Sequence, residues 1–237
     1  MDKLKFLPVG DSAISIEFSK EISEETNKKI RALSKMIGEA NIGGVVETTP
    51  AFCCLTIYFN PLEISASKLR NKVLKLYKNY KDISTTKKKV FLIPVCYEGD
   101  FAPDLDSVCS ITGLDKDEVI NLHTSTNYPI YMLGFLPGFP YLGGMSEKLE
   151  CKRLDTPRTQ IVEGSVGIGG KQTGIYPLSS PGGWRIIGRT PVKVYDKFRN
   201  PPVLYKAGDY IRFFKITQEE FNSGKFNEIK WEEVLWR

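Results

Sequence analysis

Apolar and polar positions alternate differently in the two halves of the chain. In Ala13–Phe18, Ile14, Ile16 and Phe18 alternate with Ala13, Ser15 and Glu17, the period of a half-buried strand. Leu4–Leu7 reads as a second short strand across the turn Pro8-Val9-Gly10-Asp11. The period then becomes helical from about Glu21 to Ile37. Ile22, Ile30, Leu33 and Ile37 share a face, Lys28, Lys29 and Arg31 turn to water, and Gly38 suits the exit. Strands follow near Val45–Thr48 and over Phe52–Phe59, where Asn60-Pro61 ends the run because proline cannot extend a ladder. A helix over Ser65–Tyr80 carries Leu69, Val73, Leu76, Tyr77 and Tyr80 at core-facing spacing. Residues 1–84 thus read as a small α+β domain. Lys81–Lys89 (KDISTTKKK) is charged and without period, and serves as the boundary.

The second domain is expected over residues 88–237. Val90–Val95 opens it as a strand, with Pro94 marking an edge or bulge. Phe101–Asp104 enters a short helix over Leu105–Ile111. Asp115 and Glu118 form a capping box for a helix running to His123. From Tyr128 to Phe214 the pattern breaks into short strands: Ile130–Leu133, Ser165–Ile168, Gly174–Tyr176, Trp184–Gly188, Lys193–Tyr195 and Tyr210–Phe214. That spacing is the signature of a β-rich barrel. Thr217 with Glu220 caps a short final helix, and Trp231 and Trp236 are expected to pin the tail.

Composition changes this picture little. The chain has 237 residues, 41% hydrophobic and 26% charged, as in ordinary globular domains. The net charge of +5 is too small and too poorly interleaved with aromatics for a nucleic acid footprint. The first residues show no charged-then-apolar leader, and no apolar run reaches membrane-spanning length, so the cytoplasm is the expected compartment. Five cysteines, an odd number without a C-x-x-C pair, read as reduced thiols, and no metal site is expected.

Glycine and proline crowd the stretch Gly134–Pro191: GFLPGFPYLGG, TPRTQIVEGSVGIGGKQTGIYP and SSPGGWRIIGRTP. These residues belong where backbone turns tightly or passes close to a ligand or partner. Ser165–Gln172 is not a phosphate loop, because the first glycine is missing and Gln172 stands where a magnesium-binding hydroxyl belongs. His123 is the sole imidazole, so histidine proton transfer near neutrality would fall on it; a capping or packing role is the alternative. Arg158, Arg185 and Arg189 could clamp a carboxylate or phosphate, or bridge barrel turns. Gln172 and Tyr176 could read an amide edge or satisfy backbone. Phe135, Phe139, Tyr141 and Trp184 could line a pocket wall or pack a core.

The motifs GFLPGFPYL, TPR, GSVGIGGKQTGIYP, SPGGW and IGRTP, in this order, resemble the signature of the 5-oxoprolinase B-subunit (PxpB) family. That family is also known as allophanate hydrolase subunit 1 and KipI-like. Weaker matches at GDSAISIEF, at His123 with Tyr128, and at PPVLYKAGDYIRF extend the resemblance over nearly the whole chain. Ile161-Val162-Glu163-Gly164 departs from the usual V-P-A-G. The resemblance implies a cyclophilin-like barrel and a subunit of an ATP-dependent 5-oxoprolinase, opening 5-oxo-L-proline to L-glutamate and inactive alone. Its implied partners are a PxpC-like (allophanate hydrolase subunit 2) subunit and a PxpA-like (LamB/YcsF) subunit, with ATP and Mg2+ shared among them. Arg185, Arg189 and His123 would then assist catalysis. Arg158, Gln172, Tyr176, Phe135, Phe139, Tyr141, Trp184, Gly182 and Gly183 would bind substrate. The alternatives are a KipI-like inhibitor of a sensor histidine kinase, or a urea amidolyase-related subunit.

Overall fold

The computed structural model describes residues 4–80, 87–228 and 230–235. The chain divides into two compact units, Met1–Ser84 and Thr85–Arg237.

The first unit is a four-stranded antiparallel sheet with two helices. Its elements are β1 (Lys5–Val9), β2 (Ala13–Glu17), α1 (Glu24–Glu39), β3 (Val45–Pro50), β4 (Cys54–Phe59) and α2 (Ala66–Lys78). The sheet order is β1-β2-β4-β3. Ile14 and Ile16 of β2, Leu55, Ile57 and Phe59 of β4, Ile30, Leu33 and Ile37 of α1, and Leu69, Val73 and Tyr77 of α2 form one core. Helix α1 begins later than its apolar period suggests. Ser23 is the cap, its hydroxyl accepting the Thr26 N–H, and Ile22 is left outside and half exposed. The helix also runs past Gly38 to Glu39, and Asn41 takes the left-handed conformation with φ 43°.

The second unit is an α+β arrangement around a closed barrel. In chain order it holds β5 (Lys87–Cys96), α3 (Leu105–Thr112), α4 (Lys116–Thr124), β6 (Tyr128–Leu133), β7 (Pro140–Leu142), β8 (Arg158–Ile161), β9 (Ser165–Gly169) and β10 (Gln172–Ile175). There follow β11 (Ser180–Gly182), β12 (Arg185–Arg189), β13 (Tyr210–Ile216), α5 (Gln218–Asn222) and β14 (Lys230–Leu235). The barrel order is β12-β9-β10-β7-β6-β13-β5, closed by β12 pairing back to β5 through Arg189 and Cys96. β5 and β13 pair in parallel, and β8 with β11 forms a separate two-stranded ribbon. Both expected capping boxes, Asp115 with Glu118 and Thr217 with Glu220, are in place.

Three expectations need correction. Lys87–Lys89 is not linker but the start of β5, because β14 pairs with it from Lys87↔Leu235 to Lys89↔Glu233. Residues 81–86 of the expected boundary lie outside the described residues. Lys193–Tyr195 forms no full strand; Tyr195 makes a single bridge to Val203. Trp231 pairs within β14 but is 49% exposed, with Lys89 Nζ 4.4 Å over its ring, so it covers little core. Trp236 lies outside the described residues. Pro94 falls between the part of β5 paired to β14 and the residue paired to β12, where a missing donor costs least.

Candidate functional site

Alternation along β10 decides what each of its side chains does. Thr173 and Ile175 point into the barrel; Gln172, Gly174 and Tyr176 point outward. The outward face is held bare by glycines. A Cβ on Gly174 would stand 3.0 Å from Phe139 Cζ, and one on Gly169 would stand 2.5 Å from the Trp184 ring. Without those side chains, Phe139 and Trp184 lie against the sheet itself. With Ile161, Tyr176 and Ile186 they form a second apolar cluster outside the barrel, against which Tyr141 and Leu136 pack.

The rings meet mainly edge to face. Phe139 contacts Tyr176 at 5.1 Å, Trp184 at 5.4 Å and Tyr141 at 5.0 Å between centroids. Phe135 stands over them, 5.7 Å from Phe139, 62% exposed and in the left-handed region at φ 66°. That conformation is rare for a large side chain and costs about 1–2 kcal/mol. Gly182 is needed here, since a Cβ would meet the Tyr176 hydroxyl at 2.6 Å; Gly183 has ordinary room. Burial raises the Tyr176 phenol to about 12, so it stays a neutral hydrogen-bonding group. The five expected aromatics are thus gathered in one place.

Two polar groups border this face. Gln172 Nε2 is buried and makes no hydrogen bond to the described residues. Arg153, which sequence reasoning passed over, lies 5.8 Å over the Trp184 ring. Its signal was weak: a lone arginine in CKRLD beside the TPR motif. Phe139, Tyr176 and Trp184 are buried within the cluster, so its accessible rim is Phe135, Tyr141 and the Arg153 guanidinium, a combination suited to a small ring carrying a carboxylate.

The three expected arginines do not converge on one open site. Arg158 gives both guanidinium nitrogens to Asp104, at 2.8 and 2.7 Å, and Asp104 also accepts the Ile186 N–H at 2.6 Å. Arg185 donates to the Ser107 hydroxyl at 2.5 Å and to the Lys152 carbonyl at 3.0 Å. Arg158 therefore ties the start of α3 to the β8–β11 ribbon, and Arg185 ties it to the barrel strand β12. Arg189, at the far end of β12, donates to the Glu163 carbonyl at 3.0 Å. The clamp expected of Arg158 is corrected on this ground: its planar fork is filled by a carboxylate of the same chain. The turn at the departure Ile161–Gly164 is set by Gly164, at φ 81°, whose N–H reaches the Tyr176 carbonyl at 2.8 Å.

His123 is corrected too. It is wholly buried inside the barrel and stacked on Phe213 at 4.5 Å. Thr173 donates its hydroxyl proton to the Gly167 carbonyl, so it must accept from His123 Nε2 at 2.9 Å. His123 Nδ1 then accepts the Tyr97 hydroxyl at 2.7 Å. Burial drives the imidazole pKa down to about 3. The ring is a neutral structural pin, closed to substrate.

Other features carry less. A concavity of about 530 Å³ is lined by Pro191, Val192, Lys193, Arg199, Leu204, Asn227 and Glu228. Arg199 there is committed to the carbonyls of Lys193, Val194, Pro201 and Pro202. Among the described residues no group of three His, Cys, Asp or Glu side chains could hold a metal ion. Nor is any helix among them long and apolar enough to cross a membrane.

The family profile "Carboxyltransferase domain, subdomain C and D" matches residues 4–205. The 5-oxoprolinase B-subunit of Bacillus subtilis (strain 168) is 39% identical over 231 residues, covering 92% of this chain and 95% of the relative. The chain belongs to the 5-oxoprolinase B-subunit family. Among solved structures, TTHA0988 superposes with a TM-score of 0.76 at 35% identity over 86% of this chain, which spans only 40% of that longer protein. The Kluyveromyces lactis urea carboxylase gives a TM-score of 0.80 at 23% identity, with this chain covering 24% of it, and shares the fold. Of the family motifs, GFLPGFPYL and SPGGW supply the aromatic face, whereas TPR and IGRTP supply the arginines that lock α3 and the β8–β9 turn.

Proposed function

We propose that this chain is a subunit of an ATP-dependent 5-oxoprolinase, which hydrolyses 5-oxo-L-proline to L-glutamate together with PxpC-like and PxpA-like partner subunits. The observation that carries the reading is the end-to-end likeness to 5-oxoprolinase B-subunits, in a chain whose signature motifs build one aromatic face. In this reading the lactam ring sits at the exposed rim of the cluster, by Phe135 and Tyr141, and reaches the buried Phe139, Tyr176 and Trp184 only when Phe135 moves aside on assembly with the partner subunit. Arg153, exposed beside the Trp184 ring, holds the carboxylate.

The residues of this chain do not fit a nucleotide with its magnesium. The glycine-rich loop has no phosphate-cradle order, and the described residues offer no carboxylate set for the metal. ATP and Mg2+ therefore belong to the assembled complex rather than to the side chains of this chain.

The test is co-expression with the two candidate partners, followed by an assay for 5-oxo-L-proline-dependent ATP hydrolysis and glutamate release. Turnover by the complete set and none by this chain alone is expected. A properly assembled set without turnover would remove the reading.

A further inference from the structure

The loop between Tyr195 and Val203 holds an aromatic side chain out in solvent on a built frame. Tyr195 and Val203 bridge across its base. Arg199, within the loop, donates to the carbonyls of Lys193, Val194, Pro201 and Pro202, and the Asp196 carboxylate accepts the Phe198 N–H at 2.9 Å. These bonds fix the backbone on both sides of Phe198. The ring itself is 87% exposed, more than any other aromatic side chain among the described residues, with Lys197 Nζ 4.8 Å over it. A ring presented on a fixed backbone loses little freedom when a partner buries it, which is the property of an interface anchor.

The same surface carries a receptor for such a ring. Arg199 also stands in the wall of the concavity of about 530 Å³, where Pro191, Val192 and Leu204 are the apolar lining. Apart from Arg199, whose guanidinium is spent on carbonyls, the charged lining is Lys193 and Glu228. The loop tip holds the matching pair, Asp196 and Lys197. None of these four charges has an ion-pair partner among the described residues. Knob and hollow thus stand side by side, each with one cation and one anion to satisfy. Within the chain the ring does not enter the hollow, as its exposure shows.

We propose that this surface pairs two copies of the chain about a two-fold axis, the Phe198 ring of each copy entering the concavity of the other. A contact of this kind needs one patch that complements itself, and it closes at two copies. With Phe198 against Val192 and Leu204, Lys197 faces Glu228 and Asp196 faces Lys193, in both directions at once. A lipid surface fits less well. It would take the Phe198 tip but leave the hollow without an occupant, and would set Asp196 and Glu228 against anionic headgroups.

The full chain, with no other subunit, is followed by sedimentation velocity over a concentration series. A monomer–dimer equilibrium that stops at two copies is expected, with the dissociation constant of the dimer raised about tenfold or more in Phe198→Ser. Lys197→Glu and Glu228→Lys, each tested singly, are expected to weaken pairing, because like charges then face one another. Mixed in equal amounts, these two variants should pair again, since every substituted position then meets the opposite charge across the axis. All three positions are exposed, and unchanged far-UV circular dichroism shows that each variant folds. Co-sedimentation with phosphatidylserine vesicles tests the lipid alternative. A monomer at every concentration, association beyond two copies, indifference to Phe198→Ser, a mixture that fails to recover, or vesicle binding that depends on Phe198 would overturn the proposal.

Discussion

The buried imidazole makes a quantitative test of the barrel core. In the unfolded chain His123 titrates near the ordinary value of 6.5; in the fold it is held at about 3. Below pH 6.5 the unfolded state therefore binds a proton that the folded state refuses. The sign follows: stability is present above pH 6.5 and is lost as pH falls toward 3. At pH 5 the difference amounts to about 2 kcal/mol, since each unit below 6.5 contributes about 1.4 kcal/mol. The assay is urea denaturation of the wild type and of His123→Gln at pH 7.5 and pH 5. Carboxylates contribute to both proteins alike, so the extra acid sensitivity of the wild type isolates the ring. With one histidine in the sequence, a long-range proton–nitrogen spectrum reports it without assignment, even if the variant folds poorly. The hydrogen bonds to Thr173 and Tyr97 require a neutral Nε2–H tautomer at pH 5. A ring that titrates near 6.5 in the folded protein, or equal acid sensitivity in both proteins, would refute the assignment.

Other expectations follow from the same contacts. Asp104→Ala leaves Arg158 without its bidentate partner and the Ile186 N–H without its acceptor, and should cost roughly 3 kcal/mol by chemical denaturation. Gly169→Ala drives a Cβ into the Trp184 ring; a loss of about 1–3 kcal/mol and a shifted tryptophan emission are expected. Phe135→Gly relieves a left-handed backbone and should leave the isolated chain as stable or up to about 1 kcal/mol more so, while turnover of the assembled complex falls.

Much of the fold was legible because its signals are local. The two capping boxes span three residues each, and the apolar periods of α1 and α2 repeat within one helix. What was lost depends on distant partners. Lys87–Lys89 reads as linker from its charge, yet β14 pairs with it from more than a hundred residues away, and Lys88 bonds the Tyr210 hydroxyl. β7, β8 and β11 are three or four residues long, too short to show a period. The clustering of the aromatics was legible because they sit in the glycine-rich motifs that make room for them. The choice between clamp and bridge was not legible for the arginines, because the residues that occupy two of them, Asp104 and Ser107, precede them by 54 and 78 positions. The choice between proton transfer and packing for His123 was not legible for the same reason: Tyr97 and Thr173 are remote in sequence, and burial is invisible there.

The aromatic face as the seat of the substrate is the centre of the account, and Arg153 is its most exposed support. The decisive measurement is the dependence of ATP hydrolysis on 5-oxo-L-proline concentration for the reconstituted complex carrying Arg153→Ala. Loss of one guanidinium–carboxylate contact should raise the KM for 5-oxo-L-proline by about tenfold or more, with assembly intact. An unchanged KM and kcat in the assembled variant would contradict it.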